Sequence, residues 1–321
     1  MADTKRILFM ATGDIAIPSF KALLADTNYE TVALITQPDK PVGRKQVLTP
    51  PQVKVIAEEL GIPVFQPSKV KEEAELELIR SLKPDVIVVM AYGQILPKAL
   101  LEIPNVAIIN LHASLLPKHR GASCIQAAID QGDAESGMTV MHVTEGLDEG
   151  DVILRKPFAL PASITGGELH DRLAEDGPEC LLSALQHLFD GSAGREPQDE
   201  ALSNYAPKLL RKHGEIDWSR DAAAIERRVR AYHPWPGTST SFTDTKGKVK
   251  RLKIFPPVSL CQDTKGAVSP GLVTIEHDQL YVHCGDGQCI QLQTVQVEGK
   301  KAMSASDFIR GGLVCNGASL G

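Results

Sequence analysis

"VAIINLHASLLPKHRGAS", residues 106–123, opens as an apolar run and ends in amide, imidazole and cationic side chains. Val106 to Ile109 carry no charge and follow Pro104-Asn105, the punctuation expected ahead of a buried strand. Asn110 and His112 are two residues apart, so in an extended strand they share a face. Similar apolar runs fall at about 6–11, 31–36 and 86–92, and helix-compatible stretches lie between them, as at 52–60 and 70–82. Strands alternating with helices predict an α/β fold with a doubly wound, mostly parallel, Rossmann-like sheet. In such sheets ligands bind beyond the carboxyl ends of the strands, where the strand order reverses. Asn110 and His112 are expected at one such end.

A chain of 321 residues exceeds a usual single core, so two domains are expected. The stretch "DGSAGREPQDEALSNYAPKLLR", from 190 onward, is polar and lacks apolar periodicity. We therefore divide the chain into a domain over 1–190, a linker over 191–208 and a second domain over 209–321. The second domain contains the β-rich runs "GTSTSFT", "KRLKIFPPVSL" and "GLVTIEHDQLYVHCGDGQCIQLQTVQVEG". Their turn-sized spacing fits a small antiparallel barrel of the oligonucleotide-binding (OB-like) kind, and a β-sandwich would read the same.

The formal charge of −6 is unevenly placed. Residues 1–208 hold 19 basic against 29 acidic residues (net −10), and residues 209–321 hold 15 against 11 (net +4). The basic runs "RRVR" (227–230) and "KGKVKRLK" (246–253) suit either solvated faces or a tethered polyanion-binding module. Six scattered cysteines without a C-x-x-C favour reduced thiols over disulfides or a zinc site, so no metal is expected. The longest near-apolar stretch, Val86 to Leu96, is far short of the roughly 20 residues that span a bilayer. The opening "MADTKRILFM" lacks a cleavage site, so a cytoplasmic protein is expected.

A neutral imidazole at a strand end can polarise a carbonyl or move a proton near pH 7, and a neighbouring amide can donate to a developing oxyanion. Asn110 and His112 therefore suit acyl transfer. A carboxylate to orient the imidazole is offered by "GMTVMHVTEGLDEGDVIL", residues 137–154, where Asp148 and Asp151 are both candidates. Gly146 and Gly150 are expected to let that turn bend tightly.

Together, "NLHASLLPKHRGASCIQAAI" (110–129) and "GMTVMHVTEGLDEGDVI" (137–153) resemble the active-site signature of the folate-dependent formyltransferases. The resemblance implies a catalytic set of Asn110, His112 and Asp148, the last preferred over Asp151 because it precedes x-G. It also implies 10-formyltetrahydrofolate as formyl donor, lying against the "SLLP" turn of Ser114, Leu115, Leu116 and Pro117. The segment 36–67, beginning "TQPDKPVGRKQ", resembles the basic loop and helix by which some members meet the acceptor end of initiator methionyl-tRNA. That likeness implies tRNA contacts from Lys40, Arg44 and Lys45, and N-formylation of the methionyl amine for translation initiation. Pro38, Pro41 and Gly43 predict a mobile loop over 38–48 with neither helix nor strand.

Further along, "YHPWPGT" (232–238), "GDGQCIQLQTVQVEGKKAM" (285–303) and "DFIRG" (307–311) are similar to the family's C-terminal domain, so the resemblance runs from about 5 to 317. It implies a tRNA-binding second domain, where Lys248, Lys250 and Arg251 are candidate phosphate contacts. A family member acting on an amino sugar should lack the basic loop. Near the start, "MATGDIAIPSF" has Ala11 and Gly13 where the family has glycine and proline. No G-x-G-x-x-G is present, which argues against a nicotinamide cofactor. No membrane and no obligate protein partner are expected.

Overall fold

The computed structural model describes residues 4–43, 45–244, 247–261 and 268–321, which form two units. The first unit comprises residues up to Cys124, then Glu135–Phe158 and His170–Pro207. The second comprises Ile125–Ala134, Ala159–Leu169 and Lys208–Gly321. The stretch expected as a linker thus packs with the first unit as far as Pro207. Its residue Glu196 exchanges backbone hydrogen bonds with Val152 (2.8 and 3.1 Å).

In chain order the first unit contains β1 (Lys5–Ala11), α1 (Ile17–Ala25), β2 (Tyr29–Ile35), β3 (Lys40–Val42), β4 (Val47–Thr49) and α2 (Gln52–Glu59). There follow β5 (Val64–Phe65), α3 (Glu73–Ser81), β6 (Val86–Met90), α4 (Lys98–Leu101), β7 (Ala107–His112), α5 (Cys124–Asp130), which after Cys124 belongs to the second unit, β8 (Glu135–His142), β9 (Val152–Ala159) and α6 (Gly166–Asp190), which enters the first unit at His170. The sheet runs β5-β2-β1-β6-β7-β8-β9, parallel from β5 to β7 and antiparallel where β8 joins β7. β6, "VIVVM", is buried at every position, as a central parallel strand covered on both faces must be. Strand order reverses between β1 and β6, and the loops leaving these two strands are knitted together. Gly13 N donates to Ala91 O (3.2 Å) and Thr12 Oγ1 to Tyr92 O (3.0 Å).

β3 and β4 correct the expectation of an unstructured loop over 38–48. They pair as an antiparallel hairpin in which Lys40, Pro41 and Val42 face Thr49, Leu48 and Val47. A two-stranded hairpin leaves each strand an outer edge, where the N–H that proline lacks costs no ladder bond. The turn is made with Gly43 (φ 72°) and Gln46 (φ 50°) in the left-handed region. Arg44 lies outside the described residues.

The second unit contains α7 (Ala222–Ala231), β10 (Thr238–Thr243), β11 (Val249–Cys261), β12 (Val273–Glu276), β13 (Gln279–His283), β14 (Cys289–Val297), β15 (Met303–Ser304) and α8 (Ala305–Arg310). Its antiparallel sheet runs β10-β11-β14-β13-β12, with β15 on β14. Residues 319–321 bridge the two edge strands. Ser319 pairs with Leu272 and Leu320 with Phe242, so the sheet curls as expected of an OB-like domain. Leu252, Ile290, Leu280 and Val282 fill its interior, capped by Phe308 of α8. The β12–β13 connection is a two-residue turn of His277 and Asp278, both at positive φ (50° and 62°), a turn usually marked by glycine or asparagine.

Candidate active site and basic groove

β7 is buried on both faces at Ile108 and Ile109. Ile109 and Leu111 are buried on one face, and Asn110 and His112 point from the other. Asn110 stands in register with Val89 of β6 and Met141 of β8, so it is fixed by ladders on both sides. The turn after β8 brings Asp148 over this face. Asn110 Nδ2 lies 3.5 Å from Asp148 Oδ1, and His112 Nδ1 lies 3.7 Å from Asp148 Oδ2. The three residues singled out in sequence therefore converge. Asp151 instead faces Arg195, at 3.7 Å.

The imidazole of His112 is held by more than a carboxylate. Its Nε2 lies 2.9 Å from the carbonyl oxygen of His119, which can only accept, so Nε2 carries hydrogen and Nδ1 faces Asp148. Cys124, at the start of α5, stands beside the same ring. Burial opposes protonation of His112 most strongly. The adjacent Cys124 sulfur, the Asp148 carboxylate and the His119 carbonyl outweigh it and push the pKa up to about 9. An imidazolium donor beside an amide donor, with a carboxylate between them, is equipped to stabilise an oxyanion and relay a proton.

Asp148 is itself the left-handed residue of its turn (φ 53°), a conformation aspartate tolerates. Gly146 and Gly150 have ordinary φ, contrary to the expectation that their flexibility makes the bend. Gly150 is needed for room. A Cβ there would sit 1.8 Å from His142 O.

Asp148 Oδ2 accepts from the backbone N–H of Gly121 at 2.7 Å. Gly121 has φ 104°, and a Cβ on it would meet the Tyr205 ring at 2.6 Å. The stretch 196–206 straps this corner. Gln198 Nε2 donates to Asp148 O (2.9 Å) and Gly150 O (2.8 Å), while its Oε1 accepts from Arg120 Nη2 (2.9 Å). Arg120 also clasps Glu200 with two nitrogens, at 3.0 and 2.7 Å, and Ala206 N donates to Arg120 O at 2.7 Å.

Sequence reasoning missed His119, Gly121, Cys124 and Gln198. The first three stand inside the quoted motif or beside it but act through a carbonyl, a backbone N–H and a thiol that no spacing rule marks. Gln198 is remote in sequence, and its amide donates to two carbonyls of the acidic turn. Gln198→Ala is expected to lower the single-turnover rate about tenfold, because a small displacement of a reacting group carries penalties of that order or more. The thermal midpoint should fall by only a few degrees. A rate equal to the parent protein's would show that Asp148 holds its place without this amide.

The "SLLP" turn is stapled to β8 and β9. Ser114 O accepts from Thr139 Oγ1 (2.6 Å), Leu116 N donates to the same hydroxyl oxygen (3.1 Å), and Leu116 O accepts from Arg155 Nε (2.9 Å). Ser114 Oγ donates to Lys118 O at 2.7 Å. Leu115 and Pro117 are half-buried. The turn's polar groups thus fix its own shape, and its side chains remain as wall. Ile95, 86 % exposed in the loop leaving β6, adds apolar surface at that end of the sheet.

Of the basic residues, Lys40 bonds to Gln37 Oε1 on the hairpin, and Lys45 is exposed. In the second unit a groove of about 480 Å³ is lined by Arg211, Lys212, Lys250 and Arg251, with Ser239 and Ser241. Lys250 is partly neutralised by Asp244 (2.9 Å), and Arg251 Nε bonds Ser239 Oγ (2.8 Å). Lys248 is exposed on the approach to β11 and does not line the groove. Arg211 and Lys212 were not singled out in sequence. "RRVR" has internal partners: Arg228 pairs with Asp130 (2.9 Å) and Arg230 bonds Ile164 O (2.9 Å). Among the described residues no group of three His, Cys, Asp or Glu could hold a metal ion, and no helix is long and apolar enough to cross a membrane.

Comparison with known proteins agrees with this geometry. Residues 5–185 match the formyl transferase family, and residues 208–313 match the formyl transferase C-terminal domain. The methionyl-tRNA formyltransferase of Akkermansia muciniphila is 48% identical, over 95% of this chain and 96% of its own. That of Marinobacter nauticus is 46% identical, over 96% of each. Among solved structures, the sugar 3N-formyl transferase WlaRD superposes with a TM-score of 0.68 at 18% identity, covering 94% of this chain and 100% of its own. An N-formyltransferase from Helicobacter canadensis gives 0.66, also at 18% identity, covering 90% and 99%. Identity that low speaks to the fold alone, whereas near-half identity along both domains speaks to descent: the chain belongs to the methionyl-tRNA formyltransferase family.

Proposed function

We propose that this protein transfers the formyl group of 10-formyltetrahydrofolate to the α-amine of initiator methionyl-tRNA, giving N-formylmethionyl-tRNA for translation initiation in the cytoplasm. The observation that carries the reading is the convergence of Asn110, His112 and Asp148 at the end of β7 in a chain whose curated relatives bear that activity in their names. A folate donor is supported by the structure of WlaRD, obtained in the presence of 5-N-formyl-THF.

The amine attacks the formyl carbon and the carbonyl oxygen becomes an oxyanion; the carbonyl re-forms as the C–N bond to the donor breaks and the donor's nitrogen departs with a proton. Asn110 Nδ2 and the protonated Nδ1 of His112 hold that oxyanion, as donors placed before the charge develops. Asp148 stabilises the imidazolium and takes part in moving a proton from the attacking to the leaving nitrogen. Ser114, Leu115, Leu116 and Pro117 form a wall for the folate. Leu115 and Pro117 provide its apolar surface, a role the internal bonding of the turn supports.

Lys40, Arg44 and Lys45 on the basic segment, and Lys248, Lys250 and Arg251 on the second unit, contact the RNA. Formyl transfer assayed with methionyl-tRNA, free methionine and a UDP-amino sugar as rival acceptors tests the whole reading. Preference for either of the last two would sink it.

The phosphate contacts have their own signature. Each phosphate neutralised contributes a log–log salt slope of about −0.7 to −0.9. Replacing Lys248, Lys250 and Arg251 together by alanine should flatten the slope of methionyl-tRNA binding by roughly two units. Folate affinity should stay as it was. An unaltered slope in filter binding between low and high salt would return these cations to the role of solvated side chains.

A further inference from the structure

Two cysteines of the second unit face each other across its longest seam. Cys261 ends β11 and Cys289 begins β14, and the two are direct partners in the antiparallel register. Direct partners share a face of the sheet, with Cα atoms about 4.5–5.5 Å apart. A disulfide needs about 4.4–6.8 Å.

Both side chains lean over the same rung. Cys261 Sγ lies 3.1 Å from Cys289 O, and Cys289 Sγ lies 3.4 Å from Cys261 O. Tyr281 of β13 lies close to both. Its phenol is held above its ordinary pKa by burial first, and then by Cys261, Glu276 and Cys289.

The rung belongs to the outer face. Ile290 and Leu292, which alternate with Gln291 along β14, fill the interior. Cys261 is only half-buried, whereas Cys289 is 6% exposed. Cys284 is a poor competitor. It is 1% exposed, and burial, Asp286 and Cys289 push its thiol up to about 12.

We propose that Cys261 and Cys289 are a site of reversible cross-strand disulfide formation by exchange with a low-molecular-weight disulfide. The Cys261 thiolate attacks one sulfur of the small disulfide, forming a mixed disulfide and expelling one small thiolate. The Cys289 thiolate then attacks the Cys261 sulfur, forming the protein disulfide and expelling the second. Two protein thiols are oxidised and one small disulfide is reduced to two thiols. The bond ties together the strands that support the basic groove, since β11 carries Lys250 and Arg251 and β14 leads into its lining residue Glu298.

The test is incubation of the native protein with oxidised glutathione, acid quenching, alkylation and mass spectrometry of tryptic peptides. Cys261 lies in the peptide 254–265, and Cys284 and Cys289 lie in 266–300. The expected result is loss of two of the six thiols, recovered by dithiothreitol, and a linked pair of these peptides. The link should persist in Cys284→Ser and vanish in Cys261→Ser and in Cys289→Ala, each checked for native circular dichroism. Retention of all six thiols, a glutathione adduct on Cys261 that never resolves, or a link surviving in Cys261→Ser would overturn the proposal.

Discussion

Replacing His112 or Asp148 by alanine is expected to lower kcat by about 10² or more, with the fold retained, because oxyanion and general acid–base contributions are commonly of that size. The geometry makes the two losses differ. His112→Ala removes the imidazolium whose Nδ1 faces Asp148, whereas Asp148→Ala also strips Gly121 N–H and the Asn110 amide of an acceptor. Leaving a buried donor unpaired costs about 1–3 kcal/mol, so the aspartate variant should be the less stable of the pair.

A pH profile adds a second reading. His112 is pushed up to about 9 from an ordinary value of 6.5, so its charged form persists through neutrality and is lost as pH rises through about 9. Its contribution to stability has the same sign: complete below about 6.5, gone above about 9. Turnover should fall on that alkaline limb. In Cys124→Ala, which removes a neighbour that favours the charged form, the limb should move to lower pH. Near-parental turnover in a folded His112→Ala or Asp148→Ala protein would end the assignment of this site.

Gly150→Ala should destabilise the first unit by about 3 kcal/mol, a factor of roughly 10² in its folding equilibrium. The new Cβ would stand 1.8 Å from His142 O and 2.9 Å from His142 C, backbone atoms at the end of β8. The turn must shift, and Asp148 with it, so kcat should fall alongside the denaturation midpoint. Gly146→Ala is the control. The nearest atom there is the end of the flexible Glu149 side chain, which can swing away, so a change within about 0.5 kcal/mol is expected. Equal losses in the two variants would mean that crowding of the His142 carbonyl is not the cause.

The parallel core was legible because β1, β2, β6 and β7 are short apolar runs with polar helices between them, a pattern covered sheets impose. Asn110 and His112 were legible from their place at the end of an apolar run, while the choice of Asp148 over Asp151 came from the resemblance to the formyltransferases. Other features are set by tertiary contacts that leave no periodic trace. Pro41 argued against a strand, yet an isolated hairpin has edges to spare. The stretch 191–207 has a linker's composition, but the side chains of its Gln198, Glu200 and Asn204 bind Asp148 O, Arg120 and His119 N at the candidate site. Glycine beside Asp148 is readable in the sequence as a mark of a tight turn, but room and not φ is what Gly150 supplies.

That strap has a consequence for how the protein is made. Arg120 and its partner Gln198 are 78 residues apart in the chain. At synthesis rates of about 5–20 residues per second, β7 and the motif after it emerge roughly 4 to 16 s before the segment that secures them. During that interval the nascent chain has its parallel strands but lacks the Gln198 bonds to the Asp148 turn. An enzyme proposed to serve the start of translation would therefore acquire a working site only after most of its own first unit has been translated.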